Sequence, residues 1–283
     1  MSNLRIGLPA KGRLATEAAG IMAQAGLNFR RQERSLFARV SGLPVDVTFL
    51  RAGDIPVLCT ERAIDLGITG GDLVEEAGVS LKTRLALGFG KCRLAVCVPE
   101  DSETRSAEDL AGCRVATSFA SISGKYFDNL GIEAHLVPLS GSVEIMISLG
   151  VADAIVDVVQ TGSTLAANGL RMLAEIGIYE SLLVQNSEAR QPEIADRVVR
   201  RLEGVVIARD WSLLEYNVPR AKLAKAESIT PGFHSPTVSS LEDSDWCAVQ
   251  VMVKRDELIA VMDGLEEIGA TAILETRINN CRL

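Results

Sequence analysis

The sequence predicts an α/β protein of two similar lobes followed by a small α+β domain. Three observations predict it. Apolar runs of strand length alternate with amphipathic stretches that stop at Gly, as expected for sheet strands joined by helices. The segment Asp65-Leu-Gly-Ile-Thr69-Gly70 is echoed, a few residues longer, from Asp153 to Gly162, each copy an acid, an apolar run and a Thr-Gly turn before the next helix. After residue 209 the composition restarts, with its own alternation of short strands and two helices.

Residues 4–8 read as the first strand, and Pro9-Ala-Lys11-Gly12-Arg13 as the loop that follows. A helix then carries Ala15, Ala18, Ile21, Met22 and Ala25 to a stop at Gly26. A loop between strand and helix is a common ligand position in α/β sheets. Lys11 and Arg13 put cations at that mouth, although on spacing alone they read equally as solvated surface charges. Arg30, Arg31 and Arg34 lead into a hairpin of strands at 36–40 and 45–50, turned by Ser41-Gly-Leu-Pro44. Arg51 follows the second of these, and Asp54 is placed to cap a helix starting near Ile55-Pro56. Residues 63–72 read as a strand and a Gly-rich loop before a short helix, and residues 85–98 as a segment crossing into a second lobe.

The second lobe alternates a strand at 114–117, a helix at 121–129 and a strand at 132–137. Ser140-Gly-Ser142-Val-Glu144 starts another helix, with Ser140 or Ser142 as cap, and Glu144 sits in its first turn, where the helix dipole alone also favours an acid. Then comes the stretch Asp153-Ala-Ile-Val-Asp157-Val-Val-Gln-Thr161-Gly162-Ser163-Thr164-Leu165, read as a buried strand, a tight loop and a helix start. Free N–H groups, a close backbone approach at Gly and added hydroxyls suit a phosphate. Asp153 and Asp157 just upstream are placed to accept hydrogen bonds from sugar hydroxyls, and a phosphate beside a diol is a phosphorylated ribose. Strands at 171–178 and 182–185 return toward the first lobe, and Pro192 opens a long helix. Residues 210–283 follow the β-α-β-β-α-β order of a ferredoxin-like domain, which in a metabolic enzyme is often a small-molecule sensor and equally serves assembly.

Composition excludes several classes. The net charge of -8 speaks against a polyanion-binding surface, and 4% aromatics against stacking platforms for nucleic acid. Six Cys are scattered with no CxxC, and the two His lack metal-site spacing, which predicts reduced, buried thiols in a cytoplasmic protein. No signal-peptide pattern and no membrane-length apolar run is present. Neither a nucleophile–His motif nor a Walker loop occurs. What remains suits substitution at an activated sugar carbon, carried by positioning and electrostatics.

Residues 157–165 resemble the phosphoribosyl-diphosphate (PRPP) loop of phosphoribosyltransferases. Together with Leu8-Pro-Ala-Lys-Gly-Arg13, Leu50-Arg51 to Asp54-Ile-Pro56, Asp65 to Gly70, Leu87-Gly-Phe-Gly-Lys-Cys-Arg-Leu94 and Ser140-Gly-Ser-Val-Glu144, they resemble the ATP phosphoribosyltransferase family over essentially the whole chain. The tail, with Ile229 to Thr237 and Ile268 to Leu274, is similar to that of the long, histidine-regulated form. The resemblance implies two periplasmic-binding-protein-like α/β lobes, 1–91 plus 184–209 and 92–183, and a regulatory ferredoxin-like domain at 210–283. It implies transfer of phosphoribosyl from PRPP to N1 of ATP, with Mg2+ held mainly by substrate phosphates. Carried over by position, Thr161, Gly162, Ser163, Thr164 and Leu165 hold the 5'-phosphate, and Glu144 and Asp157 the ribose. Lys11, Arg34 and Arg51 act on the substrate phosphates and leaving pyrophosphate, with Gly12, Arg13 and Thr69 on the ATP side. Asn217, Thr237 and Ala272 are implied for histidine, AMP and ADP are further candidate inhibitors, and dimers are expected to build hexamers. The first loop departs from the commoner Pro-Asn-Lys, and Asn217 stands where some relatives carry an acid. Two other classes remain open on the residues alone: a two-lobed solute-binding protein, and a nucleotide-binding regulator without turnover.

Overall fold

The computed structural model describes residues 3–32, 35–159, 163–187 and 189–282, with residues 163 and 164 as backbone only. The chain divides into two compact units, Met1–Gly20 with Asn28–Arg197, and Ile21–Leu27 with Val198–Leu283.

The first unit opens with β1 (Leu4–Pro9), α1 (Arg13–Gln24, which crosses the division), the short edge strand β2 (Phe37–Arg39) and β3 (Val45–Leu50). It continues through α2 (Ile55–Thr60), β4 (Leu66–Gly70), α3 (Gly71–Glu76) and β5 (Lys82–Ala86). β6 (Cys92–Pro99), β7 (Arg114–Thr117), α4 (Ala120–Leu130), β8 (His135–Pro138), α5 (Ile145–Ser148), β9 (Ala154–Val159), α6 (Ser163–Ala167) and β10 (Leu170–Tyr179) make the second lobe. β11 (Ser181–Gln185) returns to the first sheet, and α7 (Pro192–Arg209) leaves the unit.

The two sheets share one plan. In the first, β3, β1 and β4 are parallel and β11 and β5 add antiparallel strands, with β2 as an extra edge. In the second, β8, β7 and β9 are parallel and β6 and β10 add antiparallel strands. The strand β5 extends beyond the expected crossing segment, because its half-exposed Lys-Thr-Arg start carries little apolar signal. The chain crosses between sheets twice, after β5 and after β10, and the crossings are stitched together. Leu87 N donates to Ser181 O and Ser181 N to Phe89 O, both at 2.9 Å. Gly90 permits this closeness: its φ is +65°, and a Cβ there would stand 2.7 Å from Ser181 Oγ. Glu76 of α3 also accepts the N–H groups of Ser121 and Ile122 at 3.0 and 3.1 Å, so an acid of one lobe caps a helix of the other.

The second unit holds β12 (Trp211–Pro219), α8 (Leu223–Ile229), β13 (Thr237–Ser240), β14 (Trp246–Lys254), α9 (Leu258–Glu267) and β15 (Thr271–Arg277). Its order β13-β14-β12-β15, all antiparallel, is the ferredoxin-like sheet. Period-two alternation sorts β12: Leu214, Tyr216 and Val218 are buried in one core with Ala226 of α8 and Leu258 and Leu265 of α9, leaving Leu213, Glu215 and Asn217 on the other face. All six Cys are free, and burial pushes the Cys59 and Cys97 thiols up to about 12. Among the described residues no helix is long and apolar enough to cross a membrane.

Candidate functional site

The carboxyl ends of the parallel strands carry the candidate residues. In the first lobe, Pro9 of β1 pairs with Leu50 of β3, and Ala10 N donates to Leu50 O at 2.7 Å, which brings the loop after β1 beside Arg51. Lys11, Gly12, Arg13 and Arg51 are all exposed there. Arg13 reaches Glu17 at 3.5 Å, one turn along α1. Thr69 is buried, and its hydroxyl donates to Ala52 O at 2.8 Å, so it braces the turn that follows Arg51. Asp54 does not cap α2 through its side chain: Ala52–Asp54 form a 3-10 turn that runs straight into the helix, so Asp54 already has helical backbone angles. Nor does a loop separate β4 from α3, because Gly70 is the last strand residue and Gly71 the first helical one. Arg34 lies outside the described residues.

In the second lobe, β9 alternates faces. Ala154 and Val156 enter the core shared with α4, whereas Ile155 and Val159 enter the core packed by Met146 of α5 and Leu165 of α6. Asp157 shares the second face by parity, hence its partial burial beside these helices. Burial pushes its carboxyl up; the Val158 N–H, at 2.7 Å, opposes this, and the negative charge of Glu144 adds to the rise. Glu144 and Asp157 are thus brought within electrostatic reach of one another. Glu144 occupies the N-cap of α5, with no side-chain cap bond. Neither Ser140 nor Ser142 caps that helix; Ser142 instead turns the chain with φ 54°. Thr161 and Gly162 lie outside the described residues; the backbone of Ser163 and Thr164 begins α6, and Leu165 packs into the lobe. Asp153 sits at the opposite end of β9, where it accepts Arg114 N at 2.8 Å and Arg114 Nη2 at 2.9 Å.

One acid passed over in the sequence stands at the first lobe's strand ends. Asp72, in the first turn of α3, is buried; burial pushes its carboxyl up while the Leu73 N–H lowers it. Its signal was the Gly70-Gly71-Asp72 run after Thr69, which puts a carboxylate at a helix start.

In the second unit, Asn217, Thr237 and Ala272 line one cavity of about 340 Å³ on the open face of the sheet. Ala272 adopts φ 49°, next to the register shift where β15 passes Glu215 and Asn217 of β12. Glu215 lines the same cavity and accepts Gln250 Nε2 at 3.0 Å. Its position two residues from Asn217, on the same strand face, was the available signal.

The ATP phosphoribosyltransferase family model matches residues 51–204, and the model described as HisG, C-terminal domain, matches residues 208–280. The ATP phosphoribosyltransferase of Rhodopirellula baltica is 62% identical, covering 100% of this chain and 94% of the relative. That of Saccharopolyspora erythraea is 42% identical, over 99% of this chain and 100% of its own. Among solved structures, a chain of the ATP phosphoribosyl transferase (HisG:HisZ) complex from Thermotoga maritima has a TM-score of 0.64 at 26% identity, covering 72% of this chain and 97% of that one. The substrate-binding protein of an amino acid ABC transporter matches at a TM-score of 0.50 and 14% identity, over 73% of this chain and 94% of that one, a likeness of fold.

Proposed function

The chain belongs to the ATP phosphoribosyltransferase family, which performs the first step of histidine biosynthesis, and from that premise we propose how its residues divide the work. The adenine N1 of ATP attacks C1 of PRPP, the bond from C1 to the pyrophosphate oxygen breaks, and pyrophosphate leaves with the electron pair. Residues 1–91 with 184–209, and 92–183, form the two walls of the catalytic region, and 210–283 the regulatory domain.

Thr161, Gly162, Ser163 and Thr164 hold the 5'-phosphate, and Leu165 anchors their helix. Glu144 and Asp157 accept the ribose hydroxyls. This pair is the observation that carries the assignment: two carboxylates lie within electrostatic reach, one of them partly buried on β9. Lys11, Arg34 and Arg51 receive the phosphates and the leaving pyrophosphate, with Gly12 and Arg13 at the ATP side and Thr69 steadying the Arg51 turn. Mg2+ arrives on the substrate phosphates. There it would neutralise charge gathering on the pyrophosphate.

The protein acts in the cytoplasm, without nucleic-acid or membrane partners, as dimers that build hexamers. Histidine inhibits from the cavity lined by Asn217, Thr237 and Ala272, with Glu215 facing its amino group, and AMP and ADP inhibit as well. The deciding experiment mixes ATP, PRPP and Mg2+ with the protein and follows the ultraviolet absorbance of phosphoribosyl-ATP. Product is expected only with all three present, and histidine should suppress it non-competitively with PRPP. A folded, histidine-free sample that forms no product overturns the catalytic reading, and purely competitive inhibition overturns the separate effector cavity.

A further inference from the structure

Helix α4 of the second lobe starts without a cap of its own. Its N-cap is Phe119, which makes no side-chain cap bond and whose ring is buried in the lobe core. The first N–H groups of a helix have no partner within it, and leaving them bare in a half-buried place is costly. Ser121 N and Ile122 N find theirs on the other lobe. Glu76, the last residue of α3, offers one carboxylate oxygen to each, at 3.0 and 3.1 Å. A carboxylate in this place also answers the positive end of the helix dipole. A Ser or Asp at the N-cap would do the same work from within the lobe. What the acid of α3 adds is a tie between lobes.

The helix α3 is placed to carry such a tie. It runs only from Gly71 to Glu76 and follows β4 without a loop, so it has little freedom relative to its own sheet. Leu73 packs against the core of the second lobe, and Glu75 accepts the hydroxyl of Tyr179, the last residue of β10, at 2.9 Å. Neighbouring acids of α3 therefore grip two different elements of the second lobe. On each side the tie continues to a candidate substrate residue through strand pairing. In the first lobe β4 lies beside β1, with Gly67 paired to Gly7, and β1 leads to the loop of Lys11. In the second, the Thr117 hydroxyl accepts Phe119 N at 2.9 Å, just ahead of α4, and Thr117 pairs with Val156, the residue before Asp157. One carboxylate thus sits in the middle of a short, bonded path from the phosphate side of the proposed site to its ribose side.

We propose that Glu76 is a positioning residue for phosphoribosyl transfer: by capping α4 from the opposite lobe, it fixes the separation at which the two substrate walls face each other. The inference rests on the two-walled reading given above. Glu76 touches no substrate; it sets where the ATP held by one wall meets the PRPP held by the other. Nucleophilic attack is sensitive to that separation, because a displacement of about 1 Å can cost about a hundredfold in rate. Losing the tie leaves the binding residues of each wall in place, so the effect falls on kcat and not on KM.

The test is initial-rate kinetics on the full-length protein with ATP, PRPP and Mg2+, for Glu76→Ala and for Glu76→Ala combined with Ser121→Asp. The second substitution puts an acid in the first turn of α4 itself, which restores the helix start without the tie. Glu76→Ala should lower kcat about tenfold, with the KM for PRPP within about twofold of wild type. The double variant should recover the wild-type Tm and keep the low kcat. Bioorthogonal spin labels at exposed Glu61 and Asp128, one on each lobe, should show a broadened distance distribution in both variants. If Glu76→Ala does not fold, Glu76→Gln, which keeps one acceptor oxygen, takes its place. Recovery of kcat together with Tm in the double variant overturns the proposal, because the acid is then only a helix cap, and so does a wild-type kcat in Glu76→Ala. A wild type without turnover overturns the two-walled reading and this inference together, whereas an unchanged distance distribution overturns this inference alone.

Discussion

At the start of β4, Asp65 accepts the backbone N–H of Arg5 at 2.8 Å and donates its own N–H to Arg5 O at 2.8 Å. At the start of β9, Asp153 and Arg114 repeat both bonds at the same distances. The echo heard in the sequence is therefore a shared circuit: in each lobe an acid ties the base of one parallel strand to the start of its neighbour, at the second residue of β1 and the first of β7. The environments differ. The Asp65 side chain is 1% exposed and also receives Arg190, through its backbone N–H at 3.0 Å and its Nη1 at 3.1 Å. The Asp153 side chain is 45% exposed and pairs with Arg114. The same bonds thus recur with different energetic weight, because solvent screens one copy and not the other.

The largest expected effect breaks the buried copy. Asp65→Ala leaves the N–H groups of Arg5 and Arg190 and one guanidinium without their acceptor, and should cost about 3 kcal/mol. Urea unfolding at constant m-value measures it. A loss as small as that at Asp153 would mean that burial does not separate the two copies.

An intermediate effect lies at the other end of β9. Burial holds the Asp157 carboxyl above its unfolded value, so its ionised form costs stability near pH 7, and the cost fades as pH falls through the raised folded value. Asp157→Asn should therefore raise Tm at pH 7, by a margin that shrinks in acid, while the KM for PRPP rises about tenfold through the lost charged acceptor. A variant that loses both stability and affinity would make Asp157 a structural acid like Asp65.

Much of this was legible in the residues, for identifiable reasons. Strand and helix order follow from apolar period and Gly stops, as at Gly131, whose left-handed φ of 69° ends α4. The ferredoxin-like order could be anticipated from the alternation of strands and helices after residue 209, whereas the grouping of Asn217, Thr237 and Ala272 came with the family resemblance. Asp65, by contrast, read as part of a ligand-side motif, and its anchoring role depends on Arg190, distant in sequence. Glu76 was invisible for the same reason, since the helix it caps belongs to the other lobe. The failed caps at Asp54 and Ser142 show the limit of local signals: a preceding 3-10 turn and a left-handed Ser altered the geometry that capping needs.

The smallest expected effect concerns Asp153. Its carboxyl is held below its ordinary value, first by the side-chain hydrogen bond from Arg114 and then by that residue's backbone N–H. A depressed folded value means that the stabilisation is complete above the unfolded range, near pH 4, and is lost as pH falls through the folded value. Asp153→Asn should lower the unfolding midpoint only slightly at pH 7, less at high salt, and not at all at a pH where the native acid is already protonated. Because Asp153 sits at the end of β9 away from α6, the KM for PRPP should stay unchanged. A rise in that KM comparable to the Asp157 effect would move Asp153 from the foundation of the lobe to its ligand side, and the parallel with Asp65 would fail.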